Sequence, residues 1–347
     1  MVAVERDRGY SVVRPLGWSD LLTLRRMQPK GTTLDVRRTT FAPASPLVVG
    51  ALGLVLHQPI GATTLVDKVD GEVGIAQASP QHSGRTWDVR FLAPNIAHSP
   101  AAARIWQRLL GALGILACQH GAERLLAYVP EDAFTEDTFR GAGFEIVARE
   151  QVFVLTAPTS PAPEPTGFRK LAARDHQELR TLVTAAVPSR VSGMGEATPT
   201  RDRAPKGFLA SAPKEYIWVR DSNVGAYVGV FTGPACYWLE ILVRPDLRAE
   251  IAPHLRYALS TIDCSPQSPV FCAIPDHVAG TGWILRALGF EPYARQALMA
   301  SRLVSRVQVR APVVFPGLES SIDTSAPCAL APENCAGGAS TESVFVG

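Results

Sequence analysis

One phrase occurs twice in this chain, and nothing else in the sequence constrains the fold as tightly. Arg140 to Arg149 reads RGAGFEIVAR, and Arg286 to Arg295 reads RALGFEPYAR. Six of the ten positions agree: Arg140/Arg286, Gly143/Gly289, Phe144/Phe290, Glu145/Glu291, Ala148/Ala294 and Arg149/Arg295. A second echo lies upstream of each. VRPLGWSDLLTL from Val13 and FRKLAARDHQEL from Phe168 share Arg14/Arg169, Leu16/Leu171, Asp20/Asp175 and Leu24/Leu179. The echoes keep their order and nearly their separation, so the chain reads as two similar domains in tandem.

The bulk properties agree. A length of 347 residues suits about two ordinary domains. With 46% hydrophobic and 19% charged residues there is apolar material for two cores. A net charge of +2 argues against a nucleic-acid surface. No stretch reaches the roughly 18 apolar residues of a membrane span. The longest, Leu47 to Leu56, reads as a buried helix. The N-terminal MVAVERDRGY has no apolar signal-peptide core, and the six cysteines are scattered without metal spacing. A reduced, cytoplasmic protein is expected. The histidines show no metal spacing either, so no metal is expected.

Composition shifts divide the chain. Residues 1–155 form the first domain. TAPTSPAPEPT, residues 156–166, carries four prolines in eleven residues and reads as an extended linker. Residues 167–304 form the second domain. Residues 305–347 are rich in Pro, Ser, Ala and Gly and read as a tail without a fixed fold, with Cys328 and Cys335 inside it.

The two domains repeat one order of elements. In the second, a strand over Gly167–Leu171 precedes a helix capped by Asp175, with Glu178 at the capping-box position. YIWVRD and VGAYVGVF are strands joined at Ser222-Asn223. CYWLEILV, a helix from His254, the buried strand PVFCAI and a helix stopped by Gly289 follow, with closing strands from Phe290 to Val304. In the first, strand Thr86–Leu92 leads to a helix over Ala101–His120, with Ser99-Pro100 as its N-cap and first residue. Strand Arg124–Val129, helix Phe134–Ala142 and strands over Phe144–Leu155 complete it. The expected fold is α/β: two domains, each a mixed, mostly antiparallel sheet with helices on both faces.

This order, with Arg14-Pro15-Leu16 and Asp20, Arg169-Lys170-Leu171 and Asp175, and the Gly143-Phe144 and Gly289-Phe290 turns, resembles the GNAT N-acetyltransferase family. The second domain also resembles the family's central signature, in Val243, Pro245, Asp246, Leu247 and Arg248. Tandem members such as mycothiol synthases have a duplicated layout of this kind. The resemblance implies an acyltransferase with acetyl-CoA as acyl donor and a small-molecule or peptide amine as acceptor. It places the cofactor on Leu242, Val243, Arg248, Ala249, Ala252 and His254, with its phosphates at a helix N-terminus.

Departures from the pattern matter as much. Where the family has glycines after Arg248, this chain has Ile251 and Pro253, and Glu250 adds negative charge. Isoleucine prevents close backbone approach and proline lacks an N–H. The first domain reads PNIAHSPAAAR at this place, without glycine. The family's tyrosine acid corresponds to Phe139 and Leu285, neither of which can donate a proton. Tyr293 is the candidate to replace it, against packing at the sheet edge. Glu240 is the candidate base, against a structural ion pair. For His254 the competing reading is a solvated first-turn residue. Asp88 and Arg90 read as an internal salt bridge or as rim residues, and Trp87 and Trp238 as core rather than a substrate platform. Two functions stay open: a GNAT-type N-acyltransferase working through the second domain, or a non-catalytic tandem module for binding or scaffolding.

Overall fold

The computed structural model describes residues 13–303 apart from 42, 57–61, 70–71, 82, 158–159, 189–211 and 279. Its first half runs β1 (Arg14–Pro15), α1 (Leu21–Met27), β2 (Thr32–Thr33), α2 (Val36–Thr40), α3 (Pro46–Leu56), β3 (Thr63–Val69) and β4 (Glu72–Pro80). It continues through β5 (Thr86–Ala93), α4 (Ala102–Gln119), β6 (Arg124–Pro130), α5 (Ala133–Gly141) and β7 (Glu145–Leu155). The second half runs β8 (Phe168–Lys170), α6 (His176–Ala186), β9 (Lys214–Arg220), β10 (Asn223–Thr232) and β11 (Tyr237–Val243). A 3-10 turn (Pro245–Glu250), α7 (Ala252–Ser260), β12 (Val270–Pro275), α8 (Gly280–Ala287) and β13 (Glu291–Arg302) complete it.

Each half has its own main core. In the first, Ile105, Trp106, Leu109 and Leu113 of α4 recur at helical spacing and pack on Leu65, Ala76 and Ala78. Leu24 packs with Val66 and Ile75 on the other face. Neighbouring residues Leu65 and Val66 thus enter different clusters, as alternation along a strand requires. In the second half, Leu255, Ala258 and Leu259 of α7 pack on Val228, Val230 and Leu239. Leu179 and Leu182 of α6 cover Ile217 and Tyr227. Coverage of both faces explains why β4 and β10 are buried almost end to end.

The two halves exchange their last strands. The sheet has thirteen strands in the order β1-β3-β4-β5-β6-β13-β7-β12-β11-β10-β9-β8, with β2 on β5. The strand ending the second half lies beside β6, and the strand ending the first lies beside β12. The exchange is symmetric. Glu291 faces Val154 and Ala300 faces Glu145, while the repeat-equivalent Glu150 and Gln296 face each other. Gln296 Nε2 donates to Glu150 Oε1 at that centre. Each long strand carries a bulge, at Val147 in β7 and at Tyr293 in β13, again at equivalent places. The linker therefore joins two halves of one sheet, and the described residues belong to one compact unit.

Local chemistry repeats as well. Arg14 grips Asp20 with contacts of 2.6 and 2.8 Å, and Arg169 grips Asp175 with the same two distances. Each carboxylate also accepts the N–H of the residue three before it, Gly17 or Ala172. Asp175 thus closes a 3-10 turn instead of capping α6 with its side chain. Gly143 and Gly289 have φ of 84° and 92°, and the amides of Phe144 and Phe290 reach back to Phe139 and Leu285.

Several expectations are corrected. Each domain closes on one bulged strand, not two. The β9–β10 turn is Asp221-Ser222, both at positive φ, one residue earlier than read from the sequence. Ser99 gives its hydroxyl to Glu72, and α4 starts at Ala102 without a side-chain cap. The helix α3 is buried on one face only: Leu47 and Leu54 pack on the core, while Val48, Leu52 and Val55 are exposed. Asp88 pairs with Arg38 at 2.9 Å and accepts a hydrogen bond from Gln81. Trp87 and Trp238 are core residues. No helix among the described residues is long and apolar enough to cross a membrane. Cys328 and Cys335 lie outside the described residues.

Candidate functional site

Each half contains a pair of parallel strands that part company. β11 and β12 pair only through Tyr237–Val270, Trp238–Phe271 and Leu239–Cys272, although β11 continues to Val243 and β12 to Pro275. β5 and β6 pair only through Thr86–Arg124, Trp87–Leu125 and Asp88–Leu126, although β5 continues to Ala93 and β6 to Pro130. Beyond these pairs the strands diverge into a V, leaving one edge of each without its neighbour.

The two V-shaped grooves differ in what fills them. In the first half the chain fills its own. Thr32 and Thr33 pair with Leu92 and Phe91 on the edge that β6 has left. The amide of Leu34 donates to Arg90 O on β5 at 2.8 Å, and that of Asp35 donates to Tyr128 O on β6 at 3.0 Å. Leu34 is fully buried in the first core. In the second half no described segment pairs with β11 beyond Leu239 on the β12 side. The edge from Glu240 to Val243 keeps its main-chain groups for an extended partner.

The loop after β11 is wound tight. Pro245–Glu250 form a 3-10 turn, so its amides serve the carbonyls three residues back. Leu247 and Ile251 point into the second core, Ile251 without any exposure. Ile251, where the resemblance expects a glycine, is a packing residue. Arg248 Nη1 donates to the His277 carbonyl at 3.1 Å across the mouth of the V, while its Nε is buried without a partner. Glu250 is held by Arg220 with two 2.7 Å contacts, so its charge is countered. Ala249 is exposed and Ala252 half-buried beside it. His254 is not solvated: it is buried against Trp218, with ring centroids 4.1 Å apart, and Phe168. Its Nδ1 lies 3.2 Å from Glu250 O, and burial pushes its pKa down. Facing aromatic rings, it belongs to the packing under the loop.

Glu240 sits on β11 just past the point of divergence. Arg37 of α2 donates to its carboxylate at 2.6 Å, with both side chains largely buried. The guanidinium also lies over the rings of Trp238, Phe41 and Phe231 at 5.1 to 5.7 Å. Its Nε and Nη2 are buried without hydrogen-bond partners. The first half thus contributes a positive group to the second half's groove, and Glu240 is both groove residue and ion-pair partner.

No family model and no curated protein matches the sequence. Solved structures do match. One is a GCN5-related N-acetyltransferase from Sphaerobacter thermophilus, with a TM-score of 0.52 and 14% identity, covering 85% of this chain and 96% of that one. A tandem GNAT protein from the clavulanic acid biosynthesis pathway covers 85% of this chain and 99% of its own, at 15% identity and TM-score 0.46. An acetyltransferase from the GNAT family of Colwellia psychrerythraea covers 84% of this chain and all 100% of its own, at 9% identity and TM-score 0.42. The first of these, with the parted parallel strands, decides the fold. The chain has a tandem GNAT fold.

In GNAT terms the groove beside β11 is where the resemblance puts Leu242 and Val243, and both lie on its open edge. Tyr293 is elsewhere. It occupies the bulge of β13, half exposed, with its ring edge-on to Phe271 at 5.1 Å. β7 and β12 separate its strand from β11, about 14 Å at ordinary strand spacing. Its contact is at the closed end of the V, with Phe271 whose partner is Trp238. Phe139 and Leu285 are fully buried in the two cores. The sequence reading missed Arg37 and the plug at Thr32–Asp35. A short Thr-Thr strand has no periodic signal, and Arg37 meets Glu240 across 203 positions.

Proposed function

We propose that the protein is an acyl-CoA-dependent N-acyltransferase of the GNAT type, working through its second half on the amine of a small molecule or peptide. The observation that carries this reading is the asymmetry of the grooves: the V between β5 and β6 is filled by β2, and β11 keeps an open edge among the described residues. An open strand edge suits the amide-bearing arm of an acyl-CoA, which would supply the acyl group: a C–N bond would form at the thioester carbon, the C–S bond would break, and CoA would leave as its thiolate and take a proton from solvent.

The chain's own residues divide the remaining work. The main chain from Glu240 to Val243 aligns the arm. Arg248 turns from the His277 carbonyl toward phosphate, which gives its buried, unpartnered Nε and its Nη groups charged acceptors. Ala249 and Ala252 leave the loop surface small. Glu240 orients the amine and accepts a proton from it, and Arg37 fixes the carboxylate's position. The tight loop donates fewer amides than a glycine-rich one, so the phosphate grip depends mainly on Arg248.

Calorimetric titration of the full chain with acetyl-CoA tests this. One site per chain is expected, and Arg248→Glu should weaken binding about tenfold or more, since a cation facing phosphate becomes an anion. Two sites per chain would overturn the assignment to one groove. No binding at all would overturn the enzyme reading.

A further inference from the structure

The duplication exposes a second site, on the side of α8 that faces β7 and β13. In the first half Glu136 is buried, 5% exposed, between two arginines. Arg149 holds it with contacts of 2.6 and 2.9 Å, and Arg140 adds one of 3.0 Å. These arginines begin and end the repeated phrase, so their counterparts are Arg286 and Arg295. Glu136 stands four residues before Arg140. Four residues before Arg286 stands Gly282. The second half has kept both arginines and lost the carboxylate between them.

The space is a pocket. A cleft of about 380 Å³ is lined by Gly282, Trp283, Arg286, Arg295 and Phe153, with Asp276 on one side. Arg286 makes no ion pair among the described residues and instead lies over Trp283 at 5.6 Å and Phe153 at 6.0 Å. Arg295 leans on Glu131 of the first half through Nε, at 2.8 Å. Trp283 is 74% exposed, an unusual position for a side chain of that size. A β-carbon on Gly282 would meet Phe153 at 3.3 Å, so the missing side chain is what lets the ring and the cleft coexist.

We propose that this pocket binds a small aromatic carboxylate, its carboxylate taking between Arg286 and Arg295 the place that Glu136 takes between Arg140 and Arg149. The flat body of the ligand lies on Trp283 and Phe153. Two guanidinium groups select a carboxylate by charge and fork geometry, and the two rings select an apolar flat body. Asp276 repels a second negative group, which favours a monoanion. None of the residues lining the pocket lies on β11 or in the loop after it, and the inference does not rest on the proposed acyltransferase reaction.

Benzoate is the probe, titrated into the full chain and read by tryptophan fluorescence, with Trp283→Phe identifying the responding ring. A saturable change is expected with benzoate and none with neutral benzamide of the same shape. Arg286→Ala should weaken the response about tenfold or more, since a charge-assisted contact is removed. Arg295→Ala should do the same. Gly282→Glu supplies a tethered carboxylate and should abolish binding; the arginine variants decide the matter if it does not fold. Equal binding of benzamide, or unchanged benzoate binding in both arginine variants, overturns the proposal. Inorganic phosphate binding as tightly as benzoate overturns the assignment to an aromatic ligand.

Discussion

The two halves of this protein answer the same structural problem in opposite ways. Both have a V where parallel strands part. The first half closes it with its own Thr32–Asp35 segment and seals Leu34 into the core. The second leaves β11 without a described partner there. At the repeated arginines the first half is again self-contained, with Glu136 as internal anion, and the second again has a vacancy at Gly282. One copy fills these concave features from within, and the other leaves them open among the described residues. The structural copy also serves its twin, since Arg37 reaches Glu240.

That contrast can be broken experimentally. The largest effect is expected at the plug: Leu34→Ala should cost about 2–5 kcal/mol of stability, read from urea unfolding, because it empties a fully buried site. It should leave acetyl-CoA affinity unchanged. A cost below about 1 kcal/mol, or a second acetyl-CoA site in the variant, would mean that the first groove is not sealed. Next comes Glu136→Ala, which strands two arginines and should cost about 1.5–3 kcal/mol. Stability equal to wild type would show that the internal anion matters little, and would weaken the parallel with Gly282. Arg248→Glu follows, with its tenfold loss equal to about 1.4 kcal/mol.

The smallest effect concerns the paired arginine–aspartate grips. The hydrogen bond from Arg169 is the main cause that lowers Asp175 to a pKa of about 2, and Arg14 lowers Asp20 in the same way. Unfolded aspartate titrates near 3.9. The folded pKa is the lower, so the stabilisation is complete above about pH 4 and is lost as pH falls toward about 2. Arg169 is 39% exposed, so solvent screening reduces the contribution to about 1 kcal/mol. Asp175→Asn should flatten the acid limb of the stability–pH curve, and an unchanged limb would show that the grip contributes nothing.

Much of the fold was legible because the repeat carries its own physics. Gly143 and Gly289 sit where the backbone needs positive φ, and Asp20 and Asp175 sit where a turn needs an acceptor. The strand exchange was not legible, since the closing strands have the same pattern whichever half they join. Ile251 was read as a departure from a glycine pattern, and its place in the second core was not legible. The burial of His254, against the solvated reading, was not legible because a first-turn position does not reveal the aromatic rings from distant strands that cover it. The vacancy at Gly282 was within reach: extending the repeated phrase four residues toward the N-terminus sets it opposite Glu136.

The exchanged strands also bear on how the molecule is made. The first half leaves the ribosome with β6 and β7 complete, but the strand that belongs between them is the last of the sheet to be synthesised. At about 5–20 residues per second the gap lasts on the order of ten seconds. Through that interval the nascent chain presents two unsatisfied edges, each a template for another strand. Neighbouring ribosomes on one message carry the same β13 at close range. This strand order leaves the nascent chain open to intermolecular capture of β13, and slower translation before Glu291 should increase the yield of intertwined dimers.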